Sequence, residues 1–296
     1  MTSFRSLLGV CILCLSASAQ IKGPELPRGP RKRPGFAPGF APWQNDLMLA
    51  FSKDGLNFES RPKPFLKRAH VPTVVQDKKG RIIALFQWFP MRPRRYFDRI
   101  AVRISEDGAK TWTNPRPIRI KGLPKRHVRP CDPAVVRLAD GRLRLYFTCD
   151  LLDGKGPRCM SAVSEDAVHY KLEPGVRFHA RGGVLDPAVV FFKSLWHYYS
   201  PGKDRFGSNY HAVSKDGLKF ERKPDVLTRH AKLLGSAVAT ERGIRFYTGR
   251  ESFFSTDGNV FVPEKGIRVE GNDPGVCVLS DGRYLMIYGK FVWRTR

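Results

Sequence analysis

Apolar and polar positions in residues 129–150, RPCDPAVVRLADGRLRLYFTCD, fall into two short apolar runs separated by Asp140-Gly141. A run, a tight Asp-Gly turn and an answering run that carries aromatics is the pattern of a β-hairpin. It returns as HVPTVVQDKKGRIIALFQW from His70, LDPAVVFFKSLWHYYS from Leu185, LLGSAVATERGIRFYTG from Leu233 and NDPGVCVLSDGRYLMIYG from Asn272. The first four hairpins in chain order are each followed by a third apolar run that ends in Ser-x-Asp and an aromatic: SEDGAKTW, SEDAVHY, SKDGLKF and STDGNVF, from Ser105, Ser164, Ser214 and Ser255. The fifth such piece, NDLMLAFSKDGLNF from Asn45, precedes the first hairpin, and the last hairpin runs out at Arg296 without outer strands.

That offset predicts a ring. The fold expected is all-β, a five-bladed β-propeller closed by N-terminal strands that complete the C-terminal blade, with a repeat of roughly 40–60 residues per four-stranded blade. An open β-sandwich of short strands would give no reason for the displaced copy. Outer Ser-x-Asp turns are accounted for by side-chain bonding to the turn's own backbone.

The ends of the chain add compartment and charge. Residues 1–20 have a basic start, an apolar run and Ala17-Ser18-Ala19, the form of a cleaved secretory signal. Residues 21–42 read as a flexible basic arm rich in Pro and Gly, and residues 43–296 as a single propeller domain. No later stretch is long and apolar enough to span a bilayer, so the protein is expected to be secreted or periplasmic, and monomeric. Lys and Arg number 52 against 27 Asp and Glu, a formal net charge of +25. Such a field favours anionic partners, acidic or sulfated polysaccharide among them. Nucleic acid is set aside because no nucleic-acid-binding motif is present.

After the signal, Cys131, Cys149, Cys159 and Cys277 remain. Counting outward from the Asp140-Gly141 turn places Cys131 and Cys149 almost opposite, and Cys149 could also pair with Cys159. A bridge in an oxidising compartment and four small buried hydrophobes are both open. No spacing marks a zinc or calcium site, and no cofactor is expected.

In a propeller the first strand of each blade lines the axis, so the residues that open these strands converge on one channel mouth. They are His70-Val71-Pro72, Cys131-Asp132-Pro133, Leu185-Asp186-Pro187, Leu234-Gly235-Ser236 and Asn272-Asp273-Pro274. Three carboxylates at matched positions, Asp132, Asp186 and Asp273, can supply a general acid and a general base, and their mutual repulsion is expected to raise at least one pKa. Asp-Pro also simply begins turns, and that reading stays open. Second strands return to the same mouth and bring Trp88, Asp150, Tyr199, Ser200, Arg250, Glu251 and Lys290 towards the acids. Trp88 is the candidate sugar-contacting aromatic, while Phe86, Tyr146, Phe147, Tyr198, Phe246, Tyr247 and Tyr288 are expected to pack between blades. His70, Arg129, Arg181 and Arg250 flank the mouth, either to hold a uronate or sulfate group or to neutralise the aspartates.

The repeated x-D-P-[AS]-V-[VIF] opening, the aromatic second strand and the S-x-D-[GL]-x-x-[FW] turn together resemble the five-bladed glycoside hydrolases of the arabinanase and xylosidase type, family 43 and its relatives. The resemblance covers the chain from about residue 43 onward in architecture. In that family the first blade opens with the general-base Asp, the third with an Asp that tunes the acid, and the fourth with a Glu that is the acid. Asp186 keeps the third position, but Val71 and Leu234 occupy the first and fourth. The resemblance therefore leaves two alternatives. One is a hydrolase whose chemistry has moved to Asp132 and Asp273, with Glu251 as proton donor. The other is a glycan-binding propeller that does not cut.

Overall fold

Short apolar runs separated by turns produce five sheets, antiparallel but for one outer-edge strand, in the computed structural model, which describes residues 41–202, 207–228, 232–266 and 268–294. The signal and almost all of the basic arm fall outside the described residues. Blade I runs outward through Ala69–Gln76, Ile82–Trp88, Arg99–Ser105 and Arg116–Pro117. Blade II contains Cys131–Arg137, Leu143–Cys149, Arg158–Ser164 and His169–Leu172, and blade III Ala188–Phe192, Leu195–Pro201, Ser208–Ser214 and Glu221–Leu227. Blade IV consists of Ser236–Ala239, Ile244–Tyr247, Ser252–Ser255 and Val262–Pro263. In blade V, Asn272–Val278 and Tyr284–Phe291 are joined by Asn45–Ser52 and Glu59–Ser60 from the other end of the sequence. Leu66–Lys67 also pairs with Asn45–Ser52. First strands contact one another around the ring, the fifth against both the first and the fourth.

The ring closes where the displaced repeat requires it. Asn45–Ser52 lies antiparallel to Tyr284–Phe291 over its whole length, from Asn45 opposite Phe291 to Ser52 opposite Tyr284. One strand was not evident in the pattern: Arg119–Lys121 pairs in parallel with His169–Leu172 and extends blade II at its outer edge.

Five apolar clusters form, one at each seam between neighbouring blades. Leu85 meets Leu145 and Phe147 across blades I and II, and Tyr146 meets Tyr198 and Tyr210 across II and III. Tyr199 meets Phe246 and Phe261 across III and IV, Tyr247 meets Met286 across IV and V, and Ile287 meets Phe86 across V and I. Burial of each such ring or aliphatic side chain contributes about 1.5–3 kcal/mol, so the seams hold the wheel together.

Outer turns lock onto the preceding blade. In each, the Asp side chain accepts bonds from its own turn, as when Asp54 Oδ1 takes the Leu56 and Asn57 amides at 2.8 Å. Tyr146 donates to Gly217 O at 2.9 Å, Tyr199 to Gly258 O at 2.7 Å and Tyr247 to Gly55 O at 2.9 Å, each reaching the turn of the next blade. Beside two of them a buried arginine repeats the grip: Arg144 bonds Asp216 O and Glu173, and Arg245 bonds Asp54 O and Glu264.

The cysteine geometry differs from the counted one. A bulge between Tyr146 and Thr148 puts Cys131 opposite Thr148, and Cys149 faces Arg158. Cys131 and Cys149 are therefore not cross-strand partners, and all four of these cysteines are buried.

Candidate functional site

Four of the five inner strands open with the same backbone device. Val71, Asp132, Asp186 and Asp273, each immediately before a proline, have φ of 46°, 51°, 51° and 43°. Residues before proline ordinarily prefer extended backbone, and left-handed φ costs a residue with a Cβ roughly 1–2 kcal/mol. Recurrence of such a conformation around one axis marks an over-determined site. Blade IV meets the requirement with Gly235, where a Cβ would come within 2.2 Å of Tyr247 O and 2.9 Å of the Pro274 ring.

These openings wall a pocket on the propeller axis. All five blades contribute, through Val71, Pro133, Asp186, Gly235, Ser236 and Asp273 among others. Side chains of the walls also tie the blades: Thr73 Oγ1 accepts the Val135 amide at 3.1 Å, and Ser236 Oγ accepts the Val276 amide at 2.9 Å.

Asp186 and Asp273 line the pocket from blades III and V. Asp132 is buried behind them, and its Oδ2 is 3.5 Å from the Asp186 amide. The three aspartates are thus gathered at one end of the axis. His70 joins them, with Nε2 at 3.0 Å from Asp273 Oδ2 and 2.8 Å from Asn272 Oδ1. Asn272 in turn donates to Asn45 Oδ1 at 3.2 Å, so the N-terminal strand that closes the ring also buttresses the mouth. Burial disfavours the imidazolium, but the bond and charge of Asp273, with help from Asn272 and Asp132, raise the His70 pKa above its ordinary value.

Other predicted residues lie farther out. Glu251 and Arg250 are exposed in the turn that joins the second and third strands of blade IV, and neither is on the pocket wall. Arg129 is exposed and donates to Phe97 O at 2.8 Å, and Arg181 is exposed in the turn before blade III. None of these arginines forms an ion pair with the three aspartates among the described residues. Trp88 is half-buried and stacks on Tyr96, centroids 6.1 Å apart. Tyr199, expected at the mouth, is buried in the seam with its hydroxyl on Gly258. Lys290 is exposed on blade V, opposite Asp46. Asp150 is half-buried and caps the Leu152 amide at 2.8 Å. Sequence reasoning placed His70 at the mouth but missed its pairing with Asp273, which depends on blades I and V meeting across 202 residues of chain from His70 to Asn272. The signal available was Asn272-Asp273 falling at the same blade position as His70-Val71.

Among the described residues, no group of three or more His, Cys, Asp or Glu could hold a metal ion, and no helix is long and apolar enough to cross a membrane. No protein-family model and no curated protein matches the chain. Solved structures do. An α-L-arabinofuranosidase of Clostridium thermocellum is similar at a TM-score of 0.58 and 15% identity, over 74% of this chain and 81% of that one. An α-L-arabinanase of Penicillium chrysogenum, solved with arabinobiose, matches at a TM-score of 0.53 and 13% identity over 82% and 84%. A family 117 glycoside hydrolase from the marine bacterium Zobellia galactanivorans matches at 0.52 and 14% identity, over 77% and 86%. At these identities the likeness is one of fold: the chain has the five-bladed propeller of these glycoside hydrolases.

Proposed function

We propose that this protein is an exported glycoside hydrolase that acts on a polysaccharide, anionic ones included, at the axial mouth. The observation that carries the reading is the placement of Asp186 and Asp273 on one pocket wall, with Asp132 directly behind, by a left-handed Asp-Pro opening repeated around the axis. Hydrolysis of a glycosidic bond needs a carboxylate that orients or replaces water and a group that gives a proton to the leaving oxygen. Asp186 takes the first role. The proton comes from the His70–Asp273 pair, because Asp273 favours the protonated imidazole. In the balanced step the bond from sugar carbon to leaving oxygen breaks. Water supplies the new oxygen and loses its proton to Asp186, and the leaving oxygen gains the proton held by the pair. Glu251 remains a candidate donor only through a substrate that reaches from the pocket to the blade IV turn.

Reducing-sugar release from a panel of neutral, uronate-bearing and sulfated polysaccharides tests this. Asp186→Asn and Asp273→Asn are each expected to cost about 100-fold or more in rate. Undiminished turnover in both would remove the proposed machinery.

One set of observations favours a second reading, in which the propeller binds glycan without cutting. Val71 and Gly235 stand where blades I and IV would otherwise add carboxylates, and Asp273 is engaged by His70. Binding without turnover, weakening as salt rises, would support it.

A further inference from the structure

A second depression opens between blades I and II, outside the axial pocket. Ile100, Ile118, Ile120 and Leu123 give it an apolar floor, and Arg99, Lys125 and His127 line it as well. Arg99 is the revealing member. Burial depresses its pKa, and the neighbouring Arg129 guanidinium depresses it further, with only Asp98 acting in the other direction. Asp98 is itself bonded by Gln87. Among the described residues no carboxylate forms an ion pair with Arg99, Lys125 or Arg129, although paired arginines elsewhere in this chain, such as Arg144 and Arg245, have theirs. Arg99, Lys125 and Arg129 are thus exposed cations with no carboxylate ion pair among the described residues, open to an acid group on a ligand.

The groove lies close to the mouth. Pro130 forms part of its wall and stands two residues before Asp132, at most about 7 Å of extended chain away. Arg99 is also the cross-strand partner of Trp88, the aromatic at the tip of blade I. A sugar ring can lay its C–H face on the isoleucine floor, while an acid group on its rim meets Arg99 and Lys125. An inorganic ion would leave that floor unused, and a nucleic acid would find no aromatic platform lining the groove.

We propose that this groove is a subsite for an acidic sugar, sulfate- or carboxylate-bearing, in a polysaccharide whose neighbouring unit occupies the axial pocket. The inference rests on the carbohydrate reading above and names its substrate class. Calorimetric titration with a sulfated galactan hexasaccharide, an oligogalacturonate of equal length and the desulfated galactan hexasaccharide tests it. The proteins are the wild type, the double variant Arg99→Gln/Lys125→Gln, and Lys53→Gln, which removes one charge from an exposed turn on blade V. The double variant is expected to bind the acidic probes at least tenfold more weakly and the neutral probe within twofold of wild type, with Lys53→Gln within twofold throughout. The two acidic probes distinguish sulfate from carboxylate. Equal weakening by Lys53→Gln, equal loss of neutral and acidic binding, or duplex DNA bound with the same dependence on Arg99 and Lys125 would overturn the subsite. Neutral binding by wild type without acidic preference would overturn the groove alone, whereas no glycan binding at all would overturn the carbohydrate reading with it.

Discussion

His70 and His211 are both withdrawn from solvent and titrate in opposite directions, because of what each one faces. His70 meets a carboxylate at 3.0 Å, and its pKa is raised. Its contribution to stability is therefore fully present below the ordinary histidine pKa and fades as pH rises through the raised value. His70→Asn is expected to cost more stability at pH 5 than at pH 9 in denaturant titrations, and a pH-independent cost would refute the pairing. His211 is stacked on Tyr199 and His197, with its Nε2 3.2 Å from His197 Nδ1, and burial followed by the neighbouring histidine lowers its pKa to about 4. There the unfolded chain takes up the proton first, so stability falls as pH drops from the ordinary histidine range towards 4, by up to about 3 kcal/mol. His211→Gln is expected to flatten that decline in urea midpoints measured from pH 7 to pH 4. An unchanged slope would place the acid sensitivity elsewhere.

The recurring turns and strand openings explain why some positions are glycine and others alanine. Gly217 has φ of 71°, and a Cβ there would lie 2.6 Å from Arg144 Nη1 and 2.7 Å from Tyr146 Oη. In the blade I and II turns Ala109 and Ala167 hold the left-handed position at 70° and 68°, packed in apolar seam clusters where no tyrosine hydroxyl docks. Gly217→Ala is accordingly expected to destabilise by about 1–3 kcal/mol, read as a urea midpoint shift. A neutral outcome would mean that the grip of Tyr146 on the turn carries no weight. Val71 is a β-branched residue at φ 46°, so Val71→Asn, which tolerates that region better, is expected to raise stability by up to about 1 kcal/mol. Hairpins and Ser-x-Asp turns are local, and their spacing alone announced five blades. The Cys131 register depends on a bulge that the spacing does not display, and Glu251 stops short of the pocket because the second strand of blade IV ends at Tyr247 and a turn intervenes.

Around the whole wheel, ring closure and the axial mouth share residues. Asn45, at the start of the strand that completes blade V, accepts from the Asn272 side-chain amide, and Asn272 Oδ1 accepts from the His70 ring beside Asp273. Removing the residues before Arg61 would strip the outer strands of blade V and expose one face of the seam with blade IV. Such a chain is expected to lose cooperative unfolding and glycan binding together. A truncated chain that kept a sharp transition would show that closure is dispensable. On the proposed reading, an acidic polymer would lie across the mouth and the groove between blades I and II. Where a sugar sits decides whether the axial mouth is the site. A crystal structure of Asp186→Asn with a bound oligosaccharide should show one ring in the axial pocket, within hydrogen-bonding reach of Asp273 and of residue 186. An ordered oligosaccharide held elsewhere, with the axial pocket containing only solvent, would contradict it.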